Sequence, residues 1–158
     1  MKYEISITKT TTPKERPTDE SKLGFGRIFT DHMFLMDYSA DKGWFNARIV
    51  PFGPIPTHPA STVFHYGAEI FEGMKAYRAE DGSIRLFRPL ENVKRLNNSA
   101  ERLCLPQIDE EGCLDIFNTL VELEKDWCHL SSAEVVRLPH RRRSNIRYVA
   151  FSAKSKER

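Results

Sequence analysis

The clearest pattern of apolar and polar positions lies in residues 33–50. A compact apolar run, Met-Phe-Leu-Met-Asp-Tyr, is followed by the turn-forming sequence Ser-Ala-Asp-Lys-Gly and by a second apolar segment that begins at Trp44. Two strand-length apolar runs joined by a short turn are typical of a β-hairpin, so we expect one here. Four prolines then predict a loop over residues 51–60, because proline fixes φ and cannot donate a backbone hydrogen bond.

Residues 65–77 combine aromatic, acidic and basic side chains with two glycines, in the order His-Tyr-Gly-Ala-Glu-Ile-Phe-Glu-Gly-Met-Lys-Ala-Tyr. We expect a short helix over residues 63–71 that Gly73 ends, and a strand from residue 74. A segment that only filled a core would not need so many polar groups, and one that only faced solvent would not need so many rings. This mixture suits the wall of a binding pocket.

The Asp81-Gly82 pair predicts a second hairpin, which returns as a strand at residues 84–87. Pro89 then suits the first turn of a helix. The apolar face expected for this helix recurs at steps of three and four residues: Leu90, Val93, Leu96, Ala100 and Leu103.

A second helix is expected after Pro106. Asp109, Glu110 and Glu111 form an acidic start, which is stabilised by the positive end of the helix dipole. The apolar face expected for this helix consists of Leu114, Phe117, Leu120, Val121 and then Trp127 or Cys128. Together these patterns predict an α/β fold of the α+β type, with an antiparallel sheet and two helices packed on it.

The composition indicates one soluble globular domain. The chain has 158 residues, of which 40% are hydrophobic and 29% charged. No apolar run has the length of a transmembrane helix, and the N-terminus lacks the apolar core of a signal peptide, so we expect a cytoplasmic protein. Cys104, Cys113 and Cys128 match no zinc or redox spacing, and we expect buried free thiols.

Charge is distributed unevenly along the chain. Residues 135–158 carry eight basic residues and one acidic residue, a formal charge of +7, which leaves −5 on residues 1–134 of the total of +2. Residues 1–22 are rich in Thr, Lys, Pro and Glu, and we expect an extended or partly disordered arm there. The chain is thus predicted to comprise this arm, a folded domain at 23–134 and a basic tail.

The histidines and the nucleophiles match no known catalytic or metal-binding motif. His32, His58 and His65 lack carboxylates at metal-ligand spacing, so hydrogen bonding is their expected role. The chain has no Gly-x-Ser-x-Gly turn of a serine hydrolase and no glycine-rich phosphate loop.

Three charged side chains of the 65–77 segment are candidates for acid–base or nucleophilic chemistry. Glu69 and Glu72 are three residues apart and would share a face if the segment were helical. Lys75 would be a nucleophile if it were desolvated. The commoner roles are solvated carboxylates and, for Lys75, an ion pair with Glu72, and we expect those.

Four cations cluster around the junction between the predicted strand at 84–87 and the first long helix: Arg85, Arg88, Lys94 and Arg95. The planar fork of arginine suits a phosphate group. From the residues alone, however, a solvated helix face is the favoured interpretation.

Read together, a series of ordered segments resembles the branched-chain amino acid aminotransferases, which are pyridoxal-phosphate enzymes of fold type IV. These segments are FGRIFTDHM at 25–33, DKGW at 41–44, HPAS at 58–61, HY at 65–66, FEGMKA at 71–76, RLFRP at 85–89, RLCLP at 102–106 and EKDW at 124–127. The resemblance covers about residues 23–134 and implies the smaller, N-terminal domain of that family.

The resemblance also implies roles for individual residues. An arginine at the position of Arg95 binds the phosphate of the pyridoxal phosphate cofactor in the family. Aromatic residues at the positions of Phe25, Tyr66 and Phe71 line the pocket for the branched aliphatic side chain. The reaction implied is amino transfer between Leu, Ile or Val and 2-oxoglutarate, by an enzyme expected to be a homo-oligomer.

The sequence departs from the family after Glu134. The family continues there with Gly-Thr-Ser-Leu-Tyr-(Ile/Val)-Arg-Pro, whereas this chain continues with an arginine-rich segment. The large domain of the family, which carries the Schiff-base lysine, has no counterpart, so we expect no transaminase activity from this chain alone. We hypothesise that residues from about 135 onward are translated out of frame or are otherwise non-homologous.

Two alternative functions stay open at this point. The surface through which small domains associate would allow this chain to act as an interaction module that pairs with full-length subunits. The basic tail, with three consecutive arginines and Tyr148 nearby, has the composition of a nucleic-acid-binding segment, although a non-native tail is the favoured interpretation.

Overall fold

A computed structural model describes residues 3–18, 28–128 and 149–151 of the chain. Its elements, in chain order, are β1 (Ser6–Ile7), β2 (His32–Ser39), β3 (Gly43–Pro51), α1 (Thr62–Tyr66), β4 (Ala76–Arg78), β5 (Ile84–Leu86), α2 (Pro89–Arg102), α3 (Glu110–Leu123), a 3-10 turn (Lys125–Trp127) and β6 (Val149–Phe151). The α+β prediction is confirmed, because two long helices pack on a small sheet.

The predicted first hairpin forms the centre of the main sheet. Strands β2 and β3 pair antiparallel, in a register that sets Phe34 opposite Ile49. Gly43 supports the tight turn between them, since its φ of 68° lies in the left-handed region that favours glycine. Strand β1 joins β3 and strand β6 joins β2, both in parallel, so the strand order is β1-β3-β2-β6.

The N-terminal arm lies extended against this sheet over residues 3–18. Beyond the β1 pairing, the backbone N–H of Thr8 donates to the carbonyl oxygen of Ile49 at 2.9 Å. Tyr3 and Ile5 pack against the core, so the apolar alternation at the start of the chain has a packing role. The boundaries at residues 22 and 134 stay a prediction.

Most of the predicted tail lies outside the described residues. The described part is the strand Val149–Phe151, which pairs in parallel with β2. The arginine-rich segment at 137–147, the frameshift hypothesis and the proposed nucleic-acid contacts all concern residues that the structure does not describe.

The core lies between the β2–β3 hairpin and the two long helices. Its buried side chains come from the hairpin, from α2 and α3, and from the connection between the helices: Phe34, Met36, Ala47, Ile49, Val93, Leu96, Ile108, Cys113, Ile116, Phe117 and Leu120. The apolar face of α2 is confirmed at its centre, whereas Leu90 and Leu103 are exposed because they lie at the ends of the helix. The predicted face of α3 is confirmed at Phe117 and Leu120 and continues to Trp127 and Cys128, whereas Cys113 and Ile116 are buried members that the prediction missed.

Helix α1 is shorter than predicted. It ends at Tyr66, and Gly67 caps it with a left-handed φ of 58°. The prediction that Gly73 ends this helix was therefore wrong. As a consequence residues 67–75 have an irregular backbone, and Glu69 and Glu72 do not share a helix face.

A buried polar network joins three parts of the fold around Glu124, whose side chain is 2% exposed. Glu124 accepts from the ring of His32 and from the backbone N–H of Asp31. Because the backbone N–H of Thr10 donates to Nε2 of His32 at 2.9 Å, the ring proton lies on Nδ1 and points to Glu124. Trp127 Nε1 donates to Asp31 at 3.2 Å, which closes the network on the turn after α3.

The three cysteines differ in exposure. Cys113 and Cys128 are buried free thiols, as predicted, but Cys104 is exposed, which the prediction missed. Cys104 has a φ of 53° and follows the last residue of α2 by two positions. Burial raises the pKa of the Cys113 thiol to about 12, so its reactive thiolate form is scarce at neutral pH.

None of the helices in the described ranges is long and apolar enough to cross a membrane.

Replacing Glu124 with Gln should destabilise the chain by about 2 kcal/mol, because an amide cannot accept from both His32 and the Asp31 N–H and leaves a buried donor unpaired. The free energy of unfolding in urea measures this. Glu122→Gln is the matched control, since that carboxylate is exposed and forms a surface ion pair with Lys125, so its loss should change stability by less than about 0.5 kcal/mol. Equal losses for the two variants would contradict the role given to the network.

A thiol reagent at neutral pH should modify Cys104 at least about a hundredfold faster than Cys113, because only Cys104 is exposed and the Cys113 thiol is both buried and protonated. Mass spectrometry of digested samples gives the two rates. Cys104→Ser should remove the fast phase, and urea should then expose the slow thiols. Fast labelling of Cys113 in the folded chain would contradict the packing of α3.

Candidate functional site

The most specific polar contact near the predicted pocket wall joins Arg95 of α2 to Glu72. Nη2 of Arg95 donates to Oε1 of Glu72 at 2.6 Å, and Nε donates to Oε2 at 3.1 Å. Two parallel hydrogen bonds of this kind fix the orientation of the guanidinium plane as well as its position. The Glu72 side chain is 14% exposed and that of Arg95 is 60% exposed, so the pair lies at the surface with its carboxylate inward.

The carboxylate of Glu72 has two further donors. Asn92, one turn before Arg95 on α2, donates through Nδ2 to Oε1 at 3.1 Å, and the backbone N–H of Gly73 donates to the same oxygen at 3.0 Å. Nδ2 of Asn92 also donates to the carbonyl oxygen of Gly73 at 2.8 Å. The irregular segment at 67–75 is thereby attached to one side of α2.

This arrangement corrects the expected partner of Glu72, which is Arg95 and not Lys75. Only weak signals for this pairing are present in the sequence. Asn92 and Arg95 lie three residues apart and therefore near each other on one side of the helix, but Glu72 is distant in the chain. Neither Glu72 nor Asn92 was among the predicted site residues.

The four predicted cations do not form one common positive patch. Arg85 pairs with Asp81 at 3.0 Å, and Lys94 pairs with Glu91 at 3.3 Å, each within its own element or turn. Arg88 occupies the N-cap of α2 in a left-handed conformation. The cluster is therefore divided into separate ion pairs, and its members are not equivalent candidates for an anion.

Arg95 nevertheless keeps the capacity to bind an anion. A guanidinium has five N–H donors, and Glu72 uses one on Nε and one on Nη2. Within the described part of the chain Nη1 has no hydrogen-bond acceptor, and the side chain is mostly exposed. The hydrogen bonds that Arg95 donates to Glu72 raise the pKa of Arg95, so the guanidinium stays charged. One arginine with free donors fits one side of a phosphate group.

The predicted aromatic residues of the pocket wall project away from the core. Tyr66 is 84% exposed at the end of α1, and Phe71 is 85% exposed in the irregular segment. Ile70 and Met74 pack against the core from the same segment, while Glu72 turns inward to Arg95. The backbone is thus held on its inner side, and Phe71 points outward next to the ion pair.

Among the described residues no ring contact joins Tyr66 to Phe71, so the structure places both on one segment without stacking them. The third predicted aromatic residue, Phe25, lies outside the described residues. Phe64 is a further exposed ring of α1, at 64%, which the sequence reasoning did not select. Exposed rings of this size are uncommon on an isolated surface and are typical of a face that contacts a ligand or another part of a protein.

The histidines have structural roles where the structure describes them. Nε2 of His65 lies 2.8 Å from the carbonyl oxygen of Pro59, and Nδ1 of His58 accepts from the backbone N–H of Ala60 at 3.0 Å. In residues 3–18, 28–128 and 149–151 no group of three His, Cys, Asp or Glu side chains is arranged to hold a metal ion. Hydrogen bonding, as expected, is what these rings do.

No family model matches the chain. Two curated relatives come from Bacillus subtilis strain 168: "Branched-chain-amino-acid aminotransferase 2", 53% identical over 126 residues, and "Branched-chain-amino-acid transaminase 1", 56% identical over 123 residues. A "Probable branched-chain-amino-acid aminotransferase" of Staphylococcus aureus strain N315 is 50% identical over 127 residues.

These alignments cover most of this chain but only a part of each relative. They cover 78–80% of this chain but only 34–35% of each relative. The chain therefore spans about a third of the length of the curated relatives it matches. Identity of this level over most of the chain identifies it as a homologue of the branched-chain amino acid aminotransferases that corresponds to about one third of their length.

Proposed function

We propose that this chain supplies one wall of the active site of a pyridoxal-phosphate-dependent branched-chain amino acid aminotransferase. The observation that carries the proposal is the position of Arg95, a charged arginine with free donors beside a segment of outward-facing aromatic rings. A phosphate ligand next to an apolar wall is what a phosphorylated cofactor and an aliphatic substrate require of one side of a pocket.

Arg95 is the proposed ligand of the cofactor phosphate. Its fork geometry suits two phosphate oxygens, and the Glu72 pair leaves Nη1 and the second Nη2 proton for them. When bound, pyridoxal phosphate acts as an electron sink that stabilises the carbanion formed at Cα of the amino acid. The proposed role of this chain in that chemistry is to hold and orient the cofactor and the substrate, since none of its lysines matches the Schiff-base lysine of the family that would transfer the proton.

Tyr66 and Phe71 are the proposed contacts for the side chain of leucine, isoleucine or valine, with Phe25 as a third member. Aliphatic side chains are recognised by burial of apolar area, at about 25 cal/mol per Å². Both described rings are exposed by more than four fifths of their area, so they have apolar surface left to contribute. The proposed co-substrate is 2-oxoglutarate.

The chain alone is proposed to be inactive, because it spans about a third of its relatives. A pocket with one wall neither excludes water nor holds the cofactor from the opposite side. In its active context we propose a cytoplasmic homodimeric enzyme. The exposed rings of α1 and the following segment would be covered there by the rest of the protein.

A chimera that joins residues 1–134 of this chain to the remaining part of the Bacillus subtilis aminotransferase 2 should transfer the amino group of leucine to 2-oxoglutarate. The 158-residue chain with added pyridoxal phosphate should give no turnover above background. Coupled measurement of glutamate formation reports both. Turnover by the unmodified chain would contradict its proposed dependence on a second part, and a folded but inactive chimera would contradict the proposed function.

A second candidate function is an interaction module that pairs with full-length subunits. The exposed rings of Phe64, Tyr66 and Phe71 favour it, because they provide apolar area for a partner. Gel filtration of this chain mixed with the full-length Bacillus relative separates the two candidates. Co-elution without any change in activity favours the interaction module.

Phe71→Ala in the active chimera should lower kcat/KM for leucine by about tenfold to a hundredfold, because the apolar contact with the side chain is lost in the transition state. The same constant for 2-aminobutyrate, which has a smaller side chain, should fall less. Phe87→Ala is the control, since Phe87 is a phenylalanine of similar exposure, at 75%, outside the predicted wall. Equal losses for both amino acids would argue against a specificity role for Phe71.

A further inference from the structure

We propose that Glu72 is a positioning residue for phosphate binding, which holds the Arg95 guanidinium so that its remaining N–H groups face the anion. The inference rests on the proposed function of Arg95 and extends it to a residue that would act on the phosphate only through the arginine. A carboxylate beside an anion site is unexpected on charge alone, because it repels the anion. Its presence therefore calls for a geometric reason.

The first observation is that groups other than Arg95 hold the Glu72 carboxylate in place. Asn92 and the backbone N–H of Gly73 both donate to Oε1 of Glu72, and the side chain is 14% exposed. Asn92 is itself buried and also donates to the carbonyl oxygen of Gly73. Glu72 thus has a defined position that does not depend on Arg95.

The second observation is the side of the guanidinium that Glu72 uses. It binds the edge formed by Nε and Nη2 and leaves Nη1 without an acceptor in the described residues. An exposed arginine without such a partner samples many rotamers, and it loses that freedom when it binds a ligand. With the Nε–Nη2 edge fixed, the donors that remain already point in one direction.

Glu72 repels a phosphate but also orients Arg95, and these two effects change the phosphate affinity in opposite directions. The direction in which a mutation of Glu72 changes that affinity therefore decides between them. Glu72→Gln removes a negative charge, which by Coulomb attraction alone would tighten phosphate binding. It also places an amide NH₂ against an arginine donor, which breaks the two-point contact. We expect orientation to dominate and phosphate binding to weaken by roughly fivefold or more.

The test uses the full 158-residue chain, labelled with ¹⁵N, and pyridoxine 5′-phosphate as the probe. This compound has a phosphate but no aldehyde that would react with lysines, and pyridoxine is its matched control without phosphate. NMR titration followed at the backbone amide signals gives the affinity of every variant, and the Nε–Hε signal, in variants that keep Arg95, reports on its side chain. Glu69→Gln is the control variant, because it removes the same charge three residues away from an exposed position. It should bind as tightly as the parent chain or slightly more tightly.

A charge-neutral variant supplies a second measurement, should Glu72→Gln fail to fold. Asn92→Ser removes a donor to Glu72 and keeps the carboxylate, so it should also weaken binding. In an Arg95→Lys background, Glu72→Gln should no longer weaken binding, because an ammonium has no plane to orient. A persistent loss in that background would mean that Glu72 acts on the fold and not on the guanidinium, and would overturn the inference.

The outcomes separate this inference from the proposed function. If Arg95→Met leaves the affinity unchanged, or if the parent chain binds pyridoxine as well as its phosphate, Arg95 is not the phosphate ligand and the proposed function fails. If Arg95→Met weakens binding but Glu72→Gln binds as tightly as Glu69→Gln, only the positioning role of Glu72 is overturned.

Discussion

The described fold depends on the burial of one carboxylate, that of Glu124. A buried carboxylate costs several kcal/mol unless charged or polar partners satisfy it, so its partners must be held in place. They are His32 and the Asp31 N–H at the start of β2, and Asp31 in turn accepts from Trp127 and from the backbone N–H of Lys14. This requirement holds three parts of the fold against each other: the start of the hairpin, the end of α3 and the N-terminal arm.

Glu72, at the edge of the domain, is a second carboxylate whose partners hold two parts of the fold together. Its partners on α2, Asn92 and Arg95, attach an irregular segment that has few backbone hydrogen bonds of its own. Ile70 and Met74 secure that segment on the core side. The segment therefore keeps a defined path without regular secondary structure, and its outward-facing residues are placed by polar contacts and not by a helix or strand.

Sequence reasoning succeeds here where local chemistry decides the structure. The turns at Gly43 and Gly82, the proline at the start of α2 and the Asp109 cap of α3 are all encoded within a few residues, and they appear as predicted. It failed at Gly67, because either Gly67 or Gly73 has the chemistry to end α1. It was incomplete on the face of α3, where Phe117 and Leu120 are buried as predicted but Cys113 and Ile116 were missed, because which apolar residues are buried depends on where the sheet lies.

The candidate site was predictable only in part for the same reason. The resemblance selected Arg95, Tyr66 and Phe71, but the pairing of Arg95 with Glu72 joins residues 23 positions apart and depends on tertiary structure. Neither Tyr66 nor Phe71 belongs to the core, which the sheet and the two long helices form without them. The core residues thus stabilise the domain, and a different set of residues, which includes Tyr66 and Phe71, forms its exposed aromatic surface. Such a separation accounts for apolar area left exposed on a chain that spans a third of its relatives.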